Sequence, residues 1–126
     1  MSIVKTVSLM CLAALAWAYP AAAGDVFRGF ASCAGRYSAE VEHAWLMQDP
    51  AAEQHEERRA AFLSMLEALD PVRTGPEALN HRVAAKAAHA GLLGQAAFAP
   101  DPVHRTVARR LAQSHQAACA GLLLGG

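Results

Sequence analysis

Three proline-bearing breaks constrain this chain more than any other feature of its sequence. Asp49-Pro50, the stretch from Asp70-Pro71 to Gly75-Pro76, and Pro100-Asp101-Pro102 separate four runs of about 20 residues each. Proline lacks a backbone N–H and drives the residue before it out of helical geometry, so no single element can run through these points. Composition then decides what the runs are. Beyond Ala23 the chain holds 23 alanines against six valines, two threonines and no isoleucine, which favours helix over strand. The spacing predicts helices over about 26–48, 50–69, 76–98 and 102–123.

Each predicted helix has its own start signal. Asp25 is placed to cap the first, and Asp49 the second, with Pro50 at the first helical position, where a missing N–H does no harm. Thr74 and Glu77 have the spacing of a capping box for the third, and Asp101-Pro102 repeats the cap-and-proline pattern for the fourth. At 100° per residue, Phe27, Phe30, Ala34, Tyr37, Val41, Ala44 and Trp45 share one face of the first helix. Ala51, His55, Phe62, Leu66 and Leu69 are expected inward on the second. Leu79, Val83, Ala87, Ala90, Gly94 and Ala97 form a small-residue face on the third, and Val103, Val107, Leu111, Ser114, Ala118 and Leu122 recur at heptad-like spacing on the fourth. Gly29 and Gly35 weaken the first helix by up to about 1 kcal/mol each. Four amphipathic helices joined by short turns imply antiparallel neighbours, hence an all-α, up-down-up-down four-helix bundle.

Met1–Ala23 reads as a secretory signal: one positive charge at Lys5, an apolar run from Val7 to Ala18, and Ala21-Ala22-Ala23 as the cleavage site. The run is shorter than the roughly 20 residues that span a bilayer. Cys11 lies within it, but Met10 stands where a lipoprotein signal has a small residue. Removing these 23 residues leaves a 103-residue domain with one net negative charge and Gly24 at its start. The expected location is outside the cytoplasm: periplasmic in a bacterium, secreted otherwise, with no transmembrane segment after cleavage.

Cleavage leaves two cysteines, Cys33 and Cys119, in an oxidising compartment, where a pair is expected to bridge. In the predicted topology the start of helix one and the end of helix four lie at one pole, which allows that bridge. It would close a loop of 85 residues, worth about 4 to 4.5 kcal/mol in the chain-entropy argument.

Signals for chemistry are sparse. There is no nucleophile elbow, phosphate-binding glycine loop, Cys-x-x-Cys, His-Glu-x-x-His or Cys-x-x-Cys-His motif. Glu40 and His43 form a single Glu-x-x-His that the helical wheel turns outward or sideways, as a solvated surface pair. His55 and His104 are expected to point toward the core near the pole opposite the cysteines, where they could serve as two ligands to a transition metal or haem; His115 lies too far along helix four to join them. Arg58 and Arg59, with Arg105, Arg109 and Arg110, read as solvated faces, and balanced charge gives no sign of nucleic-acid binding. Tyr37 and Trp45 read as core aromatics. A hydrolase assembled from His and Glu side chains on different helices is a third reading, without a visible nucleophile. The leading expectation is a small exported, non-enzymatic helical protein, a binding or accessory component of the cell envelope with an envelope protein or small ligand as partner, and metal or haem carriage through His55 and His104 is the alternative.

Overall fold

The structure is a computed structural model that describes residues 19–69 and 75–124. The expected signal features at Lys5 and Cys11, and Thr74 of the expected capping box, lie outside the described residues. Four helices follow one another: α1 (Tyr19–Leu46), α2 (Ala52–Leu69), α3 (Pro76–Phe98) and α4 (Pro102–Leu124). Among the described residues no helix is long and apolar enough to cross a membrane.

The proline breaks at Asp49-Pro50 and Pro100-Asp101-Pro102 act as the sequence predicts. α1 ends in a Schellman arrangement: Gln48 takes a left-handed conformation (φ 54°), its N–H bonds the Trp45 carbonyl, and the Asp49 N–H bonds the Ala44 carbonyl at 2.8 Å. Asp49 Oδ1 then accepts from the Ala51 N–H at 2.9 Å, and Asp101 Oδ1 accepts from the Val103 N–H at 2.8 Å. Both are N-caps that satisfy an otherwise orphaned donor. Two other starts differ from expectation. α1 is already helical at Tyr19, so Asp25 lies inside it rather than capping it; the intervening alanines are the best helix formers and supply no stop. α3 has Gly75 at its N-cap, without a side-chain cap bond, followed by Pro76.

α1 is the hub. It packs extensively on α2 and α3 and lightly on α4, while α4 packs chiefly on α3. On the α2 side, Phe30 and Tyr37 lie 5.8 and 5.9 Å from the Phe62 ring, the latter stacked. On the α3 side, contact positions advance together along both helices, from Gly35 beside Arg82 to Glu40 beside His89. Two helices that a square up-down-up-down array would set on its diagonal are therefore side by side. The close approach rests on Gly35, where a β-carbon would land on the Arg82 carbonyl.

Cys33 and Cys119 form a disulfide with Cα atoms 5.7 Å apart. Both cysteines lie in the apolar core with Phe27, Ala31, Tyr37, Phe62 and Leu66.

The disulfide also sets the rotation of α4, and here the expected inward face is wrong. Cys119 is fully buried, with Ala108 and Ala112 on the same side. Leu111 lies 80° round the helix from Cys119 at 100° per residue, and Val103, Val107, Leu111 and Leu122 are 43–66% exposed. α3 is rotated in the same way. Ala78 and His89 are buried, whereas Leu79 and Val83 are more than half exposed. Small alanines at the contacts let helix backbones come close, and the larger residues are left outside. Trp45 and Leu69 are also exposed rather than inward, each at or next to the last residue of its helix.

Candidate functional site

The most unusual feature of the interior is a charged group. Glu40 on α1 is buried, and its Oε1 lies 2.7 Å from Nε2 of His89 on α3. Its Oε2 lies 3.8 Å from Nε2 of His55 on α2, an ion-pair distance rather than a hydrogen bond. One carboxylate thus joins three helices. The His89 bond requires a proton on Nε2, donated to Glu40. The Nδ1 atoms of His55 and His89 and the Tyr37 hydroxyl are buried without a hydrogen-bond partner.

This overturns the outward placement of Glu40. The wheel assigned α1 one buried face, whereas Ala39, Glu40 and Val41 are all buried because helices pack around more than one side of it. The Glu-x-x-His pairing is not made: Glu40 turns to α2 and α3, and His43 lines a separate cleft of about 220 Å³ with Leu46, Leu93 and Phe98.

A second polar layer lies between the cluster and the disulfide. His115 on α4 meets the His89 ring edge-on at 6.2 Å. Arg36 reaches Cys119 Sγ at 3.8 Å. Burial pushes the Arg36 guanidinium below its usual range. Burial first, then the Arg36 charge and His89, hold His115 below its ordinary value near 6.5. Above that pH both the folded and the unfolded chain carry a neutral imidazole. Below it the unfolded chain binds a proton that the folded site resists, so stability falls as pH drops through and below about 6.5. We expect His115→Gln to flatten the decline in melting temperature between pH 7.5 and pH 5; equal slopes in the two proteins would refute this assignment.

The sequence-predicted ligands are not brought together. His55 sits in the cluster, 12% exposed at its side chain and 6.0 Å from the Tyr37 ring. His104 is 74% exposed and faces Asp101 at 3.9 Å rather than the core; it belongs to the outer surface that the rotation of α4 creates. Among the described residues no group of three or more His, Cys, Asp or Glu side chains is placed to hold a metal ion.

Several cations expected to be solvated also have structural work. Arg105 donates to the Ala99 and Pro100 carbonyls at 2.7 and 3.1 Å, and Arg109 to the Ala96 carbonyl at 3.5 Å, closing the C-terminal end of α3. Arg58 lies over the Tyr37 ring at 5.8 Å, within cation–π range.

A carboxylate held between two imidazoles can accept a proton from one and pass it to the other. His89 is only 1% exposed, and the arrangement fixes the register of α1, α2 and α3. His89 escaped the sequence reading because the inward stripe of α3, Ala78, Arg82, Ala85, His89, Leu92 and Ala96, carries two basic residues. Its spacing of alternate fours and threes is nevertheless a strict heptad. Comparison of the chain with protein-family models, with curated proteins and with solved structures returned no match.

Proposed function

We propose that this is an exported, non-enzymatic binding protein of the cell envelope that engages a partner helix through α4. The observation that carries the reading is the outward row Val103, Val107 and Leu111, each at least 46% exposed on one helix. An apolar row of this kind on a small domain is the usual mark of an interaction surface, and its four-residue spacing lays the three side chains along one side of α4, as a helix-in-groove contact needs. The signal pattern of residues 1–23 and the disulfide both support export. Cleavage after Ala23 trims the first turns of α1 and leaves the domain to run its alternating, up-down-up-down course from Gly24. Metal or haem carriage has less support, since His104 stands in solvent beside Asp101.

The test uses the exported, disulfide-bonded protein as bait in envelope extracts. A reproducible partner lost from Val107→Glu/Leu111→Glu, with helicity and melting temperature unchanged, supports the proposal. Capture that survives the double substitution, or no reproducible capture at all, overturns it. Both positions are exposed, so the folded domain is expected to tolerate the charges.

A further inference from the structure

We infer that the groove between α1, α2 and α3 is a binding site for a small amphiphilic anion, a carboxylate or phosphate headgroup carrying a short apolar body. The groove encloses about 300 Å³, at the lower end of the range of small-molecule sites, and α4 takes no part in it. Arg59 of α2 and Arg82 and Lys86 of α3 supply three cations to its lining, and Glu42 of α1 the one carboxylate. Glu42 is engaged by Lys86, with which it forms an ion pair. Among the described residues neither Arg59 nor Arg82 has a carboxylate partner, so the groove carries two uncompensated guanidinium charges.

Arg82 gives the site its specificity. Its Nε is buried and has no hydrogen-bond acceptor, although a buried donor without a partner is destabilising as it stands. A guanidinium presents donors in a planar fork that matches a carboxylate or a phosphate, and an oxyanion in the groove would supply the acceptor that the protein does not. The position is held firmly, because the Arg82 backbone is packed onto Gly35. The rest of the lining is of the opposite character. Leu79 and Val83, one turn apart on α3, are 52% and 57% exposed and border the same groove. A simple inorganic ion would leave that wall in water, and a neutral apolar molecule would leave the guanidiniums unpaired. A ligand with both parts satisfies the two surfaces together.

Calorimetric and amide-shift titrations of the full disulfide-bonded protein with octanoate and with octyl phosphate test the inference. Acetate and inorganic phosphate serve as headgroup-only probes, and 1-octanol as the tail-only probe. The expected result is saturable one-to-one binding of at least one amphiphile, with shifts at Gly35, Arg82 and Lys86, and affinity at least about tenfold above its separate parts. Which amphiphile binds more tightly identifies the headgroup. Arg82→Gln is expected to weaken binding by about tenfold or more, the loss of one charge-assisted hydrogen bond. If that variant does not fold, Arg59→Gln takes its place with the same expectation, as its side chain packs less deeply. No saturable binding of either amphiphile, undiminished affinity in the folded variant, or shifts centred on Val107 and Leu111 would overturn the assignment.

Discussion

Replacing both Cys33 and Cys119 by alanine is expected to lower the melting temperature by about 16–36 °C, from about 4 to 4.5 kcal/mol of loop entropy at roughly 4–8 °C per kcal/mol. The loop is long, the bonded residues standing 86 apart in sequence, and a domain of this size has about 5–15 kcal/mol of net stability to lose from. Position adds to the effect. α4 makes only slight contact with α1 outside the bridge, and the side it turns inward is built on Ala108, Ala112 and Cys119, which bury little apolar area apiece. Without the sulfur link α4 keeps its packing on α3 and the carbonyl contacts of Arg105 and Arg109. Amide exchange in Pro102–Leu124 is therefore expected to accelerate more than exchange in α1. Alanine is preferred to serine because both sulfurs are buried among apolar groups, where a hydroxyl would add its own desolvation penalty. A fall of less than about 5 °C, well under the loop-entropy value, would show that packing alone seats the fourth helix.

The parts of this fold legible in the sequence are those set by local chemistry. Proline positions, the Asp49 and Asp101 caps and the helix-favouring composition each act within a few residues, and the structure has all of them where the residues are described. The disulfide was legible for a different reason: the two cysteines that lie outside the expected signal segment have one pairing available. What could not be read was rotation. A helical wheel compares hydrophobicity around one helix and assumes a single buried side, but α1 has partners on several sides, so Glu40 was turned outward although it is buried. On α3 and α4 the wheel followed Leu79, Val83, Val107 and Leu111. The contacts were instead chosen by how closely backbones can approach, which selects Ala78, Ala108 and Ala112 and, at Cys119, a covalent bond. The groove at Arg82 was illegible for the same reason, since it exists only because the polar stripe of α3 faces two other helices.

Gly35 and Gly29 provide a sharp test of that view, because one substitution in one helix is expected to change stability in opposite directions at two sites. Both glycines cost helix stability relative to alanine, by up to about 1 kcal/mol each. At Gly29 an added β-carbon meets the Leu122 side chain at 3.6 Å, an ordinary contact, so Gly29→Ala is expected to stabilise the protein by up to about that 1 kcal/mol. At Gly35 the same carbon falls against the Arg82 carbonyl, with the Arg82 C and Cα at 3.0 and 3.1 Å. These are backbone atoms of a packed helix, and they cannot rotate away. Overpacking of this kind costs about 1–3 kcal/mol and at times more, which outweighs the helix gain. The expected net loss is about 2 kcal/mol, or a fall of about 8–16 °C in melting temperature. Relief requires α3 to move off α1, and five residues further along that interface stands the Glu40–His89 bond, whose 2.7 Å geometry does not survive a shift of 1 Å. Gly35→Ala is therefore also expected to expose His89 to solvent, read as faster exchange of its ring and backbone protons, while Gly29→Ala leaves it protected. Two variants that move stability in the same direction would mean that α1 and α3 are free to slide, and that the registered contact between them does not govern the interior.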